Sequence, residues 1–152
     1  MIGLLQRVSH AEVVVSGERI AAIGRGLLVL VGVQRLDTER EAARLAQRLL
    51  GYRVFPDADG KMNRALTDVG GALLVVPQFT LAADTSTGTR AGFSRAAEPG
   101  MGARLFAALV AACKASGVAV ETGRFGADMQ VSSTNDGPVT FWLEVRPPGG
   151  EV

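Results

Sequence analysis

Two rhythms of apolar residues run along this chain, and elements end where one gives way to the other. Ile2 to Val8 and Ala11 to Val15 are rich in branched apolar residues and predict two strands. Ser16-Gly17-Glu18 is a turn signal before a third strand, Arg19 to Ile23. Leu27-Leu28-Val29-Leu30-Val31-Gly32-Val33 has no polar side, which predicts a strand buried on both faces. The rhythm then lengthens. Thr38-Glu39-Arg40-Glu41 is a capping box, in which the threonine hydroxyl and the Glu41 carboxylate satisfy reciprocal backbone donors. Ala42, Leu45, Ala46, Leu49 and Leu50 recur on one face of the helix it opens, and Gly51 supplies the stop. Tyr52 to Phe55 resumes a strand, and Asp57-Ala58-Asp59-Gly60 is a turn.

Gly70-Gly71 leads into a strand pattern, Ala72 to Leu81, with Pro77 inside it. Proline cannot donate to a ladder, so this strand must leave its sheet, or lie at an edge, near that residue. Residues Ala82 to Ala97 are small and polar and predict a loop longer than a compact domain usually carries without a reason. Pro99 opens a second helix with Leu105, Ala108, Leu109 and Ala112 on its apolar face, and Gly117 ends it. Val118 to Glu121 is a short strand; Met129 to Thr134 and Val139 to Val145 are two more, joined by Asn135-Asp136-Gly137-Pro138. Many unevenly spaced strands with two main helices predict an α+β fold, with mixed or antiparallel sheets packed in layers, and not a doubly wound parallel sheet. The expected organisation is one domain over residues 1–146 and a flexible tail over residues 147–152.

Composition narrows the class without naming a function. With 152 residues the chain can bury one core, and 47% hydrophobic and 20% charged residues are ordinary for a soluble domain. The longest apolar run falls far short of a membrane span, and residues 1–10 lack a signal-peptide pattern, so the expected location is the cytoplasm. A net charge of +1 argues against wrapping a long stretch of nucleic acid, DNA included, but leaves open a grip on an RNA end. The lone cysteine, Cys113, rules out a disulfide framework and lies in an apolar helical pattern, which predicts packing.

Most familiar chemistries fail on residue supply. The only histidine, His10, lies between two strand patterns with nothing pairing it to a serine, and is expected to be a solvated turn residue. One histidine and one cysteine do not make the usual zinc sets, so no metal or cofactor is expected. Gly24-Arg25-Gly26 resembles half a dinucleotide fingerprint but precedes a strand, where a tight turn explains it; Asp57 and Asp59 are explained by their turn. Two segments resist such explanations. In one, Pro77-Gln78-Phe79-Thr80-Leu81, a buried-looking strand turns polar before the long loop. The other is Asn135-Asp136-Gly137-Pro138-Val139-Thr140-Phe141, which on composition predicts a plain hairpin turn, although its Gly-Pro bond is also a place where a cis peptide can sit.

These two segments resemble the Ser-Gln-Phe-Thr-Leu and Asn-x-Gly-Pro-Val-Thr-Phe motifs of the D-aminoacyl-tRNA deacylases. The likeness extends to Gln6-Arg7-Val8, Gly60-Lys61-Met62-Asn63 and Thr122-Gly123-Arg124-Phe125, and runs from Met1 to about Val145. Pro77 departs from the pattern; it stands where the family usually has serine, removing a hydroxyl and a backbone N–H.

The resemblance implies a homodimer that cuts D-amino acids from the 3′ end of tRNA, without a cofactor or metal. It implies a floor of Gln78, Phe79 and Thr80, with backbone N–H groups near the terminal adenosine and the ester carbonyl. Phe125, Met129 and Asn135 join the substrate-binding set. Gly137 and Pro138, joined by a cis peptide, would insert into the partner's site and reject L-residues, held there by Arg7. The ribose 2′-OH beside the ester can assist water attack while backbone donors stabilise the oxyanion, so such a site needs no histidine. Removal of glycine attached in error is a further possible activity. Two other classes stay open: an acyl-transfer hydrolase with Thr80 as nucleophile, which needs an adjacent base, and a tRNA-binding module without catalysis.

Overall fold

The computed structural model describes residues 1–149. Its first strand is longer than the apolar rhythm predicts. Residues 2–8 and 11–15 form one strand, β1 (Ile2–Val15), because Ser9 and His10 continue the ladder. Opposite β8 (Gln130–Glu144), Val8 pairs with Asn135 and His10 with Thr134, so β1 carries one extra residue there. That bulge returns Val8 and Ala11, three apart, to the same apolar cluster, which strict alternation forbids. His10 is therefore an exposed strand residue and not a turn residue.

β1 folds back through Ser16 (φ 49) and Gly17 (φ 78) into β2 (Glu18–Ile23), the hairpin expected there. The first half of β1 pairs instead with β3 (Gly26–Gly32), which runs parallel to β6 (Ala72–Pro77), and β6 runs parallel to β7 (Val120–Thr122). The order is β2-β1-β3-β6-β7, with β8 on the other edge of β1. The sheet is thus mixed, as expected. Pro77 closes β6, and the Gln78 N–H makes the last bond, 2.7 Å to the Val31 carbonyl. The chain then leaves the sheet in a 3₁₀ turn, Phe79–Ala82, so the expected strand to Leu81 ends early, at the proline.

Two layers explain the unbroken apolar run. Leu27, Val29, Val31, Leu73 and Val75 face the helices α1 (Glu39–Gly51) and α3 (Pro99–Ala115), while Leu28, Leu74 and Val76 face the β1–β2 hairpin curled over the other side. Leu45 and Leu49 of α1 and Leu105 and Leu109 of α3 are fully buried, each adding about 1.5–3 kcal/mol of transfer free energy. The capping box forms as read. Burial raises the Glu41 carboxyl, but hydrogen bonds from the Thr38 hydroxyl and N–H outweigh it and leave the group below its ordinary value. Cys113 is buried in this core, where desolvation pushes its thiol up to about 11.

Three smaller pieces complete the fold: β4 (Phe55–Pro56), β5 (Met62–Arg64) and a one-turn helix α2 (Leu66–Val69), itself too short for the apolar rhythm to reveal. The strand expected over Tyr52 to Phe55 shrinks to β4, which keeps only its last residue and adds Pro56. The larger correction concerns residues 130–144. They form one strand and not two strands joined by a hairpin turn. Gln6 pairs with Thr140 and Val8 with Asn135, so residues 136–139 bulge out opposite Arg7. The tail expected from Pro147 reaches Gly149 here, and its last three residues lie outside those described. Among the described residues no helix is long and apolar enough to cross a membrane.

Candidate functional site

At the end of the sheet where β3 and β6 stop, their last residues do not close against a helix but wall a cleft of about 480 Å³. Val31, Val76, Pro77 and Gln78 form one side; Phe106, Phe125 and Met129 form much of the other. The lining is mainly apolar, with Gln78 and Asp128 as its polar side chains, the usual make-up of a small-molecule pocket. Glycine at two positions permits this narrowness. A Cβ on Gly102 would lie 3.2 Å from Phe125 Cζ, and one on Gly123 would lie 2.9 Å from Met129 Sδ. Phe125 leans on Phe106 with centroids 6.4 Å apart, and the Arg124 N–H donates to Met129 Sδ at 3.3 Å.

The rim is a polar turn. Phe79 is 60% exposed and packs on Phe93 of the long loop, centroids 5.1 Å apart, leaving two aromatic faces toward solvent. The Gln78 amide donates to the Thr80 hydroxyl, and Thr80 stands on the surface without lining the cleft. The N–H groups of Phe79 and Thr80 open the 3₁₀ turn, where intrahelical acceptors do not exist, and neither has a partner among the described residues. The loop beyond is ordered by its own bonds: Asp84 and Gly92 exchange backbone hydrogen bonds, and hydrogen bonds from Ser86 hold the Asp84 carboxyl below its ordinary value.

The second segment lies apart from the cleft, whose lining includes none of Arg7, Asn135, Gly137 and Pro138. Arg7 pins its bulge, donating from Nε to the Asp136 carbonyl at 2.8 Å and from Nη1 to the Val54 carbonyl at 2.7 Å. Asn135 ties its base, accepting from the Val139 N–H at 2.7 Å and donating to the Thr140 hydroxyl at 2.9 Å. The Gly137–Pro138 peptide is cis. Gly137 has φ 145, and a Cβ there would meet Val139 Cγ2 at 2.7 Å, so this position requires glycine. Both residues are exposed.

Of the expected site residues, then, one chain brings together Gln78, Phe79, Phe125 and Met129 in the cleft, sets Thr80 at its rim, and gathers Arg7, Asn135, Gly137 and Pro138 elsewhere. Sequence reasoning missed Phe93, Phe106 and Gly102. A glycine inside an otherwise apolar helical pattern was the available signal for the last of these. His10 is no triad member: its ring atoms lie 3.4 Å from Ser9 Oγ and 3.3 Å from Thr134 Oγ1 on an exposed strand pair.

A mixed sheet with helices on one face, a curled hairpin on the other and a main-chain turn at the cleft defines an α+β domain of a known architecture. A solved structure, the c-Myc DNA Unwinding Element Binding Protein, superposes with a TM-score of 0.91 at 35% identity over 97% of this chain and 100% of its own. A second, described as a probable eukaryotic D-amino acid tRNA deacylase, shares the fold with a TM-score of 0.81 at 17% identity over 95% of this chain and 98% of its own. Residues 4–144 match the model of the D-Tyr-tRNA(Tyr) deacylase family, and the chain belongs to that family. Among its relatives are the D-aminoacyl-tRNA deacylases of Alkalilimnicola ehrlichii, 61% identical over 97% of this chain and 98% of theirs, and of Thioalkalivibrio sulfidiphilus, 62% identical over 97% and 99%.

Proposed function

We propose that the protein is a cytoplasmic D-aminoacyl-tRNA deacylase whose domain spans residues 1–146 and whose complete site needs two copies of the chain. The observation that carries the reading is the near full-length identity to D-aminoacyl-tRNA deacylases, 61% over 97% of the chain. The split of the expected site residues supports the dimer. The cleft lacks the Gly137–Pro138 bulge, and that bulge projects from an edge strand bearing exposed Val131 and Trp142. A long open edge is a pairing liability that a second copy relieves.

In this reading the terminal adenosine and ester lie along Gln78, Phe79 and Thr80, with Phe125 and Met129 walling the aminoacyl end. Water adds to the ester carbonyl, assisted by the neighbouring ribose 2′-OH; the free N–H groups at the start of the 3₁₀ turn stabilise the oxyanion. The carbon–oxygen bond to ribose breaks, the ribose oxygen takes up a proton, and D-amino acid and tRNA leave. Chirality is set by collision: the partner subunit's Gly137 and Pro138, packed against the α-carbon, leave no room for an L-side chain. A glycyl ester has no side chain to reject and is also cut.

The test is deacylation of matched D- and L-aminoacyl-tRNAs. Release confined to the D-form, and to the glycyl form, is expected; retention of every ester without release would make the protein a binding module. A 3′-ester on tRNA ending in 2′-deoxyadenosine should be cut far more slowly in single turnover, and equal rates would mean that the protein supplies a general base. Sedimentation at micromolar concentration should give about twice 15.9 kDa, and a fully active monomer would remove the cross-subunit site.

A further inference from the structure

The structure carries a cationic stripe that the reaction at the cleft does not use. Arg40, Arg44 and Arg48 recur every four residues along the outer side of α1, about 6 Å apart along its axis. Arg40 and Arg44 are exposed; Arg48 is half-buried and donates to the Glu144 carbonyl at 3.2 Å. With Val145 and Arg146, the chain after β8 forms the opposite bank of a groove of about 470 Å³ whose near bank is Arg40, Arg44 and Gln47.

The neighbouring carboxylates are already engaged. Glu39 pairs with Arg104, Glu41 is held by Thr38, and Glu144 pairs with Arg146. Arg40, Arg44 and Arg48 have no ion-pair partner among the described residues. What sets these three apart in a chain of net charge +1 is their alignment on one helix face beside a groove, which concentrates positive charge along a line.

Its position matters as much as its sign. Ile2 pairs with both Gly32 and Glu144, and Val31 pairs with Pro77, so Val145, Arg146 and the β3–β6 wall of the cleft lie at one end of the sheet. A substrate anchored in the cleft by its 3′ end must carry the rest of its backbone away from that end. Arginines spaced along one helix face suit successive phosphates of one strand, since phosphate contacts fix register without reading sequence.

We propose that Arg40, Arg44 and Arg48 form the docking surface for the acceptor-stem phosphates of the tRNA whose 3′ end enters the cleft. The proposal rests on the deacylase reading and extends it from the ester to the body of the RNA. It also reconciles a near-neutral chain with an RNA substrate, because the needed charge is local.

The test uses the full chain with Arg40→Gln and Arg44→Gln combined. Both positions are exposed, glutamine has similar helix propensity, and the one side-chain bond lost is Arg44 to Gln47. Two substrates are compared: full-length D-aminoacyl-tRNA, and the same D-amino acid esterified to adenosine alone. For the double variant kcat/KM on the tRNA should fall roughly ten- to fiftyfold at about 0.1 M salt, the counterion-release effect of two phosphate contacts. On the adenosine ester it should change less than about twofold, because that substrate has no stem to dock.

Anisotropy with uncharged tRNA reads the contact without the chemistry. The slope of log affinity against log salt should flatten by about 1.4–1.8, so the affinity lost between about 50 and 200 mM salt shrinks roughly tenfold. Equal losses on both substrates, or no loss on either with an unchanged salt slope, would overturn the docking surface. Wild-type protein that cuts neither substrate overturns the deacylase reading instead, while the binding slope still decides the stripe.

Discussion

The two motif segments are built in opposite ways. Gln78–Leu81 is held from below: the last bond of β6 fixes Gln78, and Gly32 lies so close beneath the turn that a Cβ there would be 3.0 Å from Leu81 Cβ and 3.3 Å from the Gln78 carbonyl oxygen. Its geometry is a consequence of the core. Asn135–Phe141 lies on an edge strand where only Val139 and Phe141 touch the core; its exposed bulge is held from the side, by Arg7, Asn135 and a glycine that tolerates φ 145. Its geometry is a consequence of a few polar bonds. Damage to the first segment should therefore appear as lost stability, and damage to the second as lost activity in a protein that still melts normally.

Gly137→Ala is the sharpest way to break that contrast. The added Cβ would meet both Val139 Cγ2 and the Val139 nitrogen, at 2.7 and 2.9 Å, so the bulge must move. A shift of about 1 Å at a reacting centre can cost roughly a hundredfold. D-aminoacyl-tRNA kcat/KM is expected to fall by about that factor, with Tm changed by less than about 2 °C because the loop is exposed. A melting shift as large as that of a core variant would end the distinction.

Gly32→Ala is its counterpart. Overpacking under the 3₁₀ turn should cost about 1–3 kcal/mol, which for a domain of this size lowers Tm by roughly 3–10 °C. Unchanged melting would mean that the first segment is not held by the core. Arg7→Met comes next. It removes the donors to the Asp136 and Val54 carbonyls, and about a tenfold loss of activity on the D-substrate is expected from a loosened bulge. Full activity would show that Arg7 does not position the loop.

The smallest effect should come from Thr80→Ala. The Thr80 hydroxyl accepts from the Gln78 amide and has no base beside it, so its loss should slow deacylation less than about fivefold, whereas losing an activated nucleophile costs about a millionfold. A loss of that larger size with the fold intact would make Thr80 the nucleophile.

Local chemistry was legible in the sequence wherever a few adjacent residues decide the outcome. The Thr38–Glu41 capping box, the Ser16-Gly17 turn, the exit of β6 at Pro77 and the burial of Cys113 follow from propensity, from proline's missing donor and from apolar periodicity. The motif residues were legible too, since a motif is itself a string of neighbours. What tertiary structure alone decided was continuity and partnership. Ser9 and His10 look like a break, yet the ladder to β8 carries the strand through them by a bulge. Asn135-Asp136-Gly137-Pro138 looks like a hairpin turn, yet both its flanks pair with the same strand β1, which turns a reversal into a bulge. Which residues share a cleft was likewise hidden. Gln78 and Phe125 line one cleft because β6 and β7 run side by side, a juxtaposition of residues nearly fifty positions apart, and no local rule encodes a pairing across that distance.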